Sequence, residues 1–271
     1  MKRRVLPGFS LSLGYTVFYL TVLVLLPIVA CFSKAGSLTF AQFWGAVWTE
    51  RTRAAYLLTF GASFTAALIN IFLGLLIAWV LVRYSFPGKR LMDSLIDLPL
   101  ALPTAVGGLV YASLYVKKGW LGQYLVPLGI QAAYSRLAIV LVLVFIGLPF
   151  VVRTVQPVLE DLDPETEEAA ASLGASRGQA FRRVILPSLL PALITGFALA
   201  FARALGEYGS VVFVSGNMPF KTEIAPVLIV ARLEEFAYGE ATAIAVVLLV
   251  ISFSMLVLIN LLERWSKAEE A

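Results

Sequence analysis

The chain has no histidine, a single cysteine (Cys31) and only 14% charged residues. Each shortage excludes something. One cysteine cannot close an internal disulfide, and without histidine or a cysteine cluster there is no conventional zinc site. The phosphate loop Gly-x-x-x-x-Gly-Lys-[Ser/Thr] is missing. Its nearest approach, Pro87-Gly88-Lys89-Arg90, lacks both the first glycine and the Mg²⁺-binding hydroxyl. The motifs His-Glu-x-x-His and Gly-x-Ser-x-Gly are absent too, which leaves an intramembrane enzyme without a metal or nucleophile. No cofactor is expected on this chain, and any ATP and Mg²⁺ would be held by another one.

What is abundant is apolar surface, 60% of 271 residues. Such a chain is expected to be an all-α membrane protein with the bilayer as its solvent. A span needs about 20 mainly apolar residues, and six windows qualify, roughly 9–32, 54–82, 92–116, 134–156, 188–214 and 239–262. Residues 1–271 then form one transmembrane domain, with no room for a separate soluble one. Ile28-Val29-Ala30-Cys31 resembles a lipoprotein cleavage box, but the apolar run before it exceeds a signal-peptide core and five further windows follow.

Positive charge sets orientation, because cytoplasmic loops retain Lys and Arg. With the N-terminus inside, Lys2, Arg3, Arg4, Arg83, Lys89, Arg90, Arg153, Arg177, Arg182, Arg183, Arg264 and Lys267 share the cytoplasmic side. These are twelve of the 21 basic residues, against eight outside and Arg203 within the fifth window. Both termini and the polar strip 163–187 are therefore expected in the cytoplasm. The net charge of +4 reports topology and gives no sign of a nucleic-acid partner.

The strip, DPETEEAAASLGASRGQAFRRVILP, is the one charged, alanine-rich passage between apolar stretches. Asp163 and Pro164 suit a helix start, and Glu165, Glu167 and Glu168 favour the positive end of its dipole. Gly174 is placed to end that helix in the left-handed conformation. Ser176-Arg177-Gly178-Gln179 reads as a capping box opening a second short helix, which carries Phe181, Arg182 and Arg183 and is expected to stop at Pro187. Ala169, Ala170 and Ala171 make a smooth face flanked by acids. Physics alone allows two readings: an amphipathic loop lying on the membrane, or a surface that enters a partner's groove.

The spacing Glu168-Ala169-Ala170, three residues, Gly174, nine residues, Val184-Ile185-Leu186-Pro187 resembles the EAA loop of ABC importer permeases, with Val184 in place of Ile as the one departure. The resemblance implies a type I importer permease whose cytoplasmic coupling helix lies between the fourth and fifth spans. Glu167, Glu168, Ala169, Ala170, Gly174, Ser176, Arg177, Phe181 and Arg182 are its candidate ATPase-coupling residues.

Charges inside a span cost about 2.5 to 3.5 kcal/mol at a helix centre, so Arg203 and Glu207 need a reason. They lie four apart and are expected to pair on one face of the fifth span, beside a small-residue stripe of Ala198, Ala202, Gly206 and Ser210. One reading makes them an ion pair that locks helices, and the other puts Arg203 on an anion path with Glu207 orienting it. In the third window Pro99 and Pro103 interrupt helical hydrogen bonding, so freed backbone near Thr104, Gly107 and Gly108 is a second path candidate. Ser215 and Asn217 open the polar loop 215–226, which is expected outside as a gate, a docking loop or a plain connector.

Ala202-Arg203-Ala204-Leu205-Gly206-Glu207-Tyr208-Gly209 resembles a segment of sulfate and molybdate permeases, and the run on through Lys221-Thr222-Glu223-Ile224-Ala225-Pro226 is similar to T-type subunits of sulfate/thiosulfate importers. That resemblance implies a second, W-type permease, two copies of an ATPase and a periplasmic sulfate-binding protein as partners. It also implies sulfate or thiosulfate as cargo and a bacterial-type inner membrane, with lipid around the spans. A permease for molybdate or another oxyanion and an ATP-independent secondary transporter or channel are the alternatives, and the last would need an ion-coupling or selectivity site beyond Arg203 and Glu207.

Overall fold

The computed structural model describes the backbone of residues 8–269 and the side chains of 8–261; the basic run 2–4 and the side chains of Arg264 and Lys267 lie outside the described residues. Every regular element among the described residues is a helix, with no strand. Among the described residues, five helices are long and apolar enough to cross a membrane: Phe9–Gly36, Glu50–Arg83, Arg136–Glu160, Arg177–Leu205 and Tyr238–Leu261.

The core forms where the second, fourth and fifth of the expected spans meet. Val151, Val152 and Val155 of Arg136–Glu160 pack with Ala78 and Leu81 of Glu50–Arg83 and with Leu189 and Phe201 of Arg177–Leu205, all fully or almost fully buried. Lipid offers no hydrophobic drive between helices, so close backbone approach supplies the attraction. Gly196 of the fifth span is one such contact, since a β-carbon there would lie 2.5 Å from Thr154 Oγ1. Hydroxyls add directional bonds: Tyr56 donates to the Ile244 carbonyl at 3.0 Å, and Thr59 Oγ1 accepts from Ala225 N at 2.8 Å. The Phe9–Gly36 helix differs, with none of its most apolar window buried against the chain.

Three expectations are corrected. The window 92–116 is not one continuous helix but Lys89–Ile96, Leu98–Ala101 and Thr104–Tyr115. Pro99 lies in the first turn of Leu98–Ala101 and Pro103 caps Thr104–Tyr115, so the chain breaks ahead of each. The longest piece has 12 residues, about 18 Å at 1.5 Å per residue, against a hydrocarbon core of about 30 Å. The window 188–214 also ends early, at Leu205, so the small-residue stripe is not a helical stripe: Gly206 caps the helix with open space around it, and Ser210 lies beyond.

Pro187, in turn, does not stop the strip's second helix. A π-helical turn, Phe181–Ile185, precedes it, and helix continues to Leu205. Widening the turn to an i to i+5 bond, Leu186 N to Phe181 O, relieves the clash between a proline ring and the carbonyl four residues back. The same device, Thr21–Leu25, precedes Pro27 in the first helix, which runs unbroken past Cys31.

Candidate functional site

At one end of the bundle the strip folds as its local chemistry dictates. Asp163 Oδ1 accepts from Glu165 N at 2.9 Å and caps the helix Pro164–Ser172. Gly174 adopts φ +83°, with Gly174 N bonded to Ala171 O and Ala175 N to Ala170 O, the paired bonds of a Schellman stop. Ser176 and Gln179 then form the reciprocal capping box, with Ser176 N bonded to Gln179 Oε1 at 2.8 Å.

This hairpin sorts its residues by face. Glu168, Ala169, Ala171, Ser176, Arg177 and Arg182 are exposed, and Leu173 keeps 89% of its surface. Glu167 and Ala170 are the inward positions of Pro164–Ser172, and Phe181 is partly buried. Glu167 forms an ion pair with Arg83, and Phe181 meets Trp79 edge-on at 5.6 Å, so these two members of the expected coupling set are held by their own chain.

The expected path residues gather where the fifth span stops. Arg203 stands in the last turn of Arg177–Leu205 and Glu207 just past its cap. Arg203 Nη1 lies 2.5 Å from Glu207 Oε2, and Glu207 Oε1 accepts from Ser210 N and Oγ, both at 2.8 Å. Three donors explain how a carboxylate with 2% of its surface exposed is tolerated. Arg203 keeps a third of its side chain accessible.

Against this break lies the start of Thr104–Tyr115. A β-carbon on Gly108 would meet Ser210 O at 2.3 Å, and one on Gly209 would meet Thr104 Oγ1 at 2.3 Å. Thr104, Gly108, Arg203 and Glu207 therefore belong to one locus, whereas Gly107 faces Phe145 across ordinary space. Ser215 and Asn217 instead lock their own loop: Ser215 Oγ bonds Asn217 Oδ1 at 2.7 Å, and Asn217 Nδ2 donates to Val212 O.

Ion pairs between distant elements went unnoticed in the sequence, two sets of them at other joints of the bundle. Arg51 grips buried Glu223 with two bonds, 2.8 and 2.7 Å, tying the 216–224 loop to the second span. Arg153 joins Asp93 and Asp97 at 2.7 Å each, tying Lys89–Ile96 to Arg136–Glu160. The only sequence signal for either was a charge near an apolar window.

Comparison with known proteins agrees with this architecture. The sulfate transport system permease protein CysT of Salmonella typhimurium is 50% identical over 97% of this chain and 95% of its own length. The protein of the same name from Synechococcus elongatus is 52% identical, over 95% and 92%, and that of Escherichia coli 48%, over 97% and 95%. The crystal structure of a bacterial ABC transporter that imports alginate superposes with a TM-score of 0.75 at 19% identity, covering 94% of each chain, so the folds are alike. The family model for "binding-protein-dependent transport system inner membrane component" matches residues 70–267, and the chain belongs to that family.

Proposed function

We propose that the chain is the T-type permease subunit of an ATP-driven importer carrying sulfate or thiosulfate across a bacterial-type inner membrane. The observation that carries this reading is the 48 to 52% identity, along nearly the whole chain, to proteins named sulfate transport permeases. In this reading the chain pairs with a W-type permease, two ATPase subunits hold ATP and Mg²⁺, and a periplasmic sulfate-binding protein delivers the anion. Both termini and the 163–177 hairpin face the cytoplasm.

The mechanism follows from the two ends of the fifth span. The hairpin offers Glu168, Ala169, Ala171 and Leu173 to the ATPase, and closure of the ATPase pair on ATP displaces it. That displacement travels along a helix continuous from Arg177 to Leu205. At its far end Arg203 carries five N–H donors, one of them bonded to Glu207. The remaining donors suit a tetrahedral oxyanion, while Glu207 fixes the guanidinium and keeps the resting site near neutral so that the anion is released. Thr104 and the backbone around Gly108 complete the wall, and Ser215 and Asn217 brace the loop above it.

The test is labelled sulfate uptake in cells with and without this gene, supplied with the binding protein and ATPase. Gene-dependent, vanadate-sensitive uptake that thiosulfate blocks is expected. Loss of molybdate uptake with sulfate unaffected would move the cargo, and vanadate-resistant uptake would overturn the ATP-driven reading.

A further inference from the structure

Neighbouring glutamates on the coupling hairpin meet different surroundings. Residues in sequence are about 100° apart on a helix, so Glu168 is exposed while Glu167 turns toward the bundle. Its carboxylate pairs with the Nη2 of Arg83, the last residue of the 34-residue helix Glu50–Arg83. Arg83 is aimed by its own helix, with its guanidinium carbon 5.1 Å from the centre of the Trp79 ring one turn earlier. Trp79 in turn abuts Phe181 at an interplanar angle of 81°, at the first position of the π-turn that feeds the fifth span. The contacts Glu167, Arg83, Trp79, Phe181 thus close a ring from the hairpin through the second span to the fifth.

The hairpin helix has little else to hold it. Most of its residues face outward, and besides Ala170 only Glu167 turns inward. The second span is packed along the fourth and fifth through the buried core. A push on Pro164–Ser172 therefore reaches the bundle by two routes: along the chain through Ser176, and sideways through Glu167.

We propose that Glu167 and Arg83 form the lateral joint of the coupling apparatus, passing displacement of the hairpin to the second span, while Trp79 and Phe181 keep that joint in phase with the fifth. The inference rests on the reading that the hairpin docks on the ATPase. Glu168 touches the partner in this scheme, and Glu167 is a positioning residue that does not. Both members of the ion pair keep about a quarter of the side chain exposed, so water reaches either charge once glutamine replaces its partner. Removing the pair should therefore spare folding and assembly and damage transmission.

The test uses the full importer in proteoliposomes with sulfate and its binding protein, measuring ATPase retained on the permease, ATP hydrolysis and sulfate taken up. Glu167→Gln and Arg83→Gln are each expected to retain the ATPase at wild-type stoichiometry while uptake per ATP hydrolysed falls roughly tenfold, within the range of coupling between distant sites. The exchanged pair, Arg83→Glu with Glu167→Arg, is expected to recover most of that ratio, which ties the defect to the pair, while the retained ATPase in the single variants separates it from a merely structural role. Unchanged uptake per ATP in both single variants overturns the joint. Release of the ATPase by Glu167→Gln also overturns it, because Glu167 would then be a partner contact. Glu168→Lys is the control on the underlying reading: if it leaves ATPase retention and coupling untouched, the docking face itself is misplaced, whatever Glu167 does.

Discussion

Gly108 lies against the carbonyl of Ser210 so closely that a β-carbon on it would sit 2.3 Å from the oxygen. Two breaks meet at that point: the start of Thr104–Tyr115 and the end of the fifth span. Neither backbone can withdraw freely, since Val211 and Val214 beyond Ser210 are fully buried. Gly108→Ala is expected to cost about 1 to 3 kcal/mol, the usual penalty of overpacking, and to depress sulfate uptake. Gly107→Ala, with its nearest neighbour 3.8 Å away, is the tolerant control. Thermal unfolding of the purified complex separates the two.

Arg203 and Glu207 should respond unequally to truncation. Arg203→Ala strips one donor from a buried carboxylate, whereas Glu207→Gln leaves a guanidinium that already reaches open space. The arginine variant is expected to lose up to about 3 kcal/mol and the glutamine variant less. Sulfate uptake by Arg203→Ala should fall even at temperatures where the complex stays assembled. Wild-type uptake by that variant would remove Arg203 from the path.

Arg51 and Glu223 anchor the loop before Ala225 through a two-pronged contact, which a lysine cannot reproduce. Arg51→Lys is therefore expected to loosen the loop nearly as much as Arg51→Ala. Amide exchange across 216–224 is the measurement, and faster exchange in both variants is the expected result. Protection unchanged in Arg51→Ala would show that Arg136, which donates to the Lys221 carbonyl at 2.8 Å, holds the loop by itself.

Gly174 combines a left-handed backbone with empty surroundings, so its replacement costs conformation and not space. Gly174→Ala should destabilise the hairpin by about 1 to 2 kcal/mol, and Gly174→Asn by less, since asparagine tolerates that region. ATPase retention on the membrane is expected to follow the same order. Equal retention in both would detach hairpin shape from docking.

Local signals were legible in the sequence and distant ones were not. Asp163, Gly174 and Ser176 announce caps because each acts on backbone within a few residues, and all three act as expected. The spacing of Arg203 and Glu207 likewise foretold their pairing. Hydropathy failed where apolar residues leave the helix: Val211 to Val214 extend the apolar run beyond Leu205, so the stop at Gly206 was hidden. Pro99 and Pro103 were visible, but whether a proline kinks a span or divides it depends on what receives the freed backbone groups. Arg51 with Glu223 and Arg83 with Glu167 are 172 and 84 residues apart, and helical periodicity carries no information over that distance. Glu167 is the instructive case, because next to Glu168 it looks like more of the same charge.

The π-turn ahead of Pro187 also bears on how this chain can change length. Such a turn is an α-helix with one residue too many, and here the surplus makes room for a proline ring. Deleting a residue between Phe181 and Ile185 would leave the faces above and below nearly in register, but it would return the carbonyl four residues back to the path of Pro187. At this turn the extra residue and the proline are matched, whereas Pro149, Pro157 and Pro191 lie within α-helix with no π-turn directly before them. A chain one residue shorter at this turn would keep the hairpin and the fifth span aligned and carry Pro187 as an ordinary helix kink.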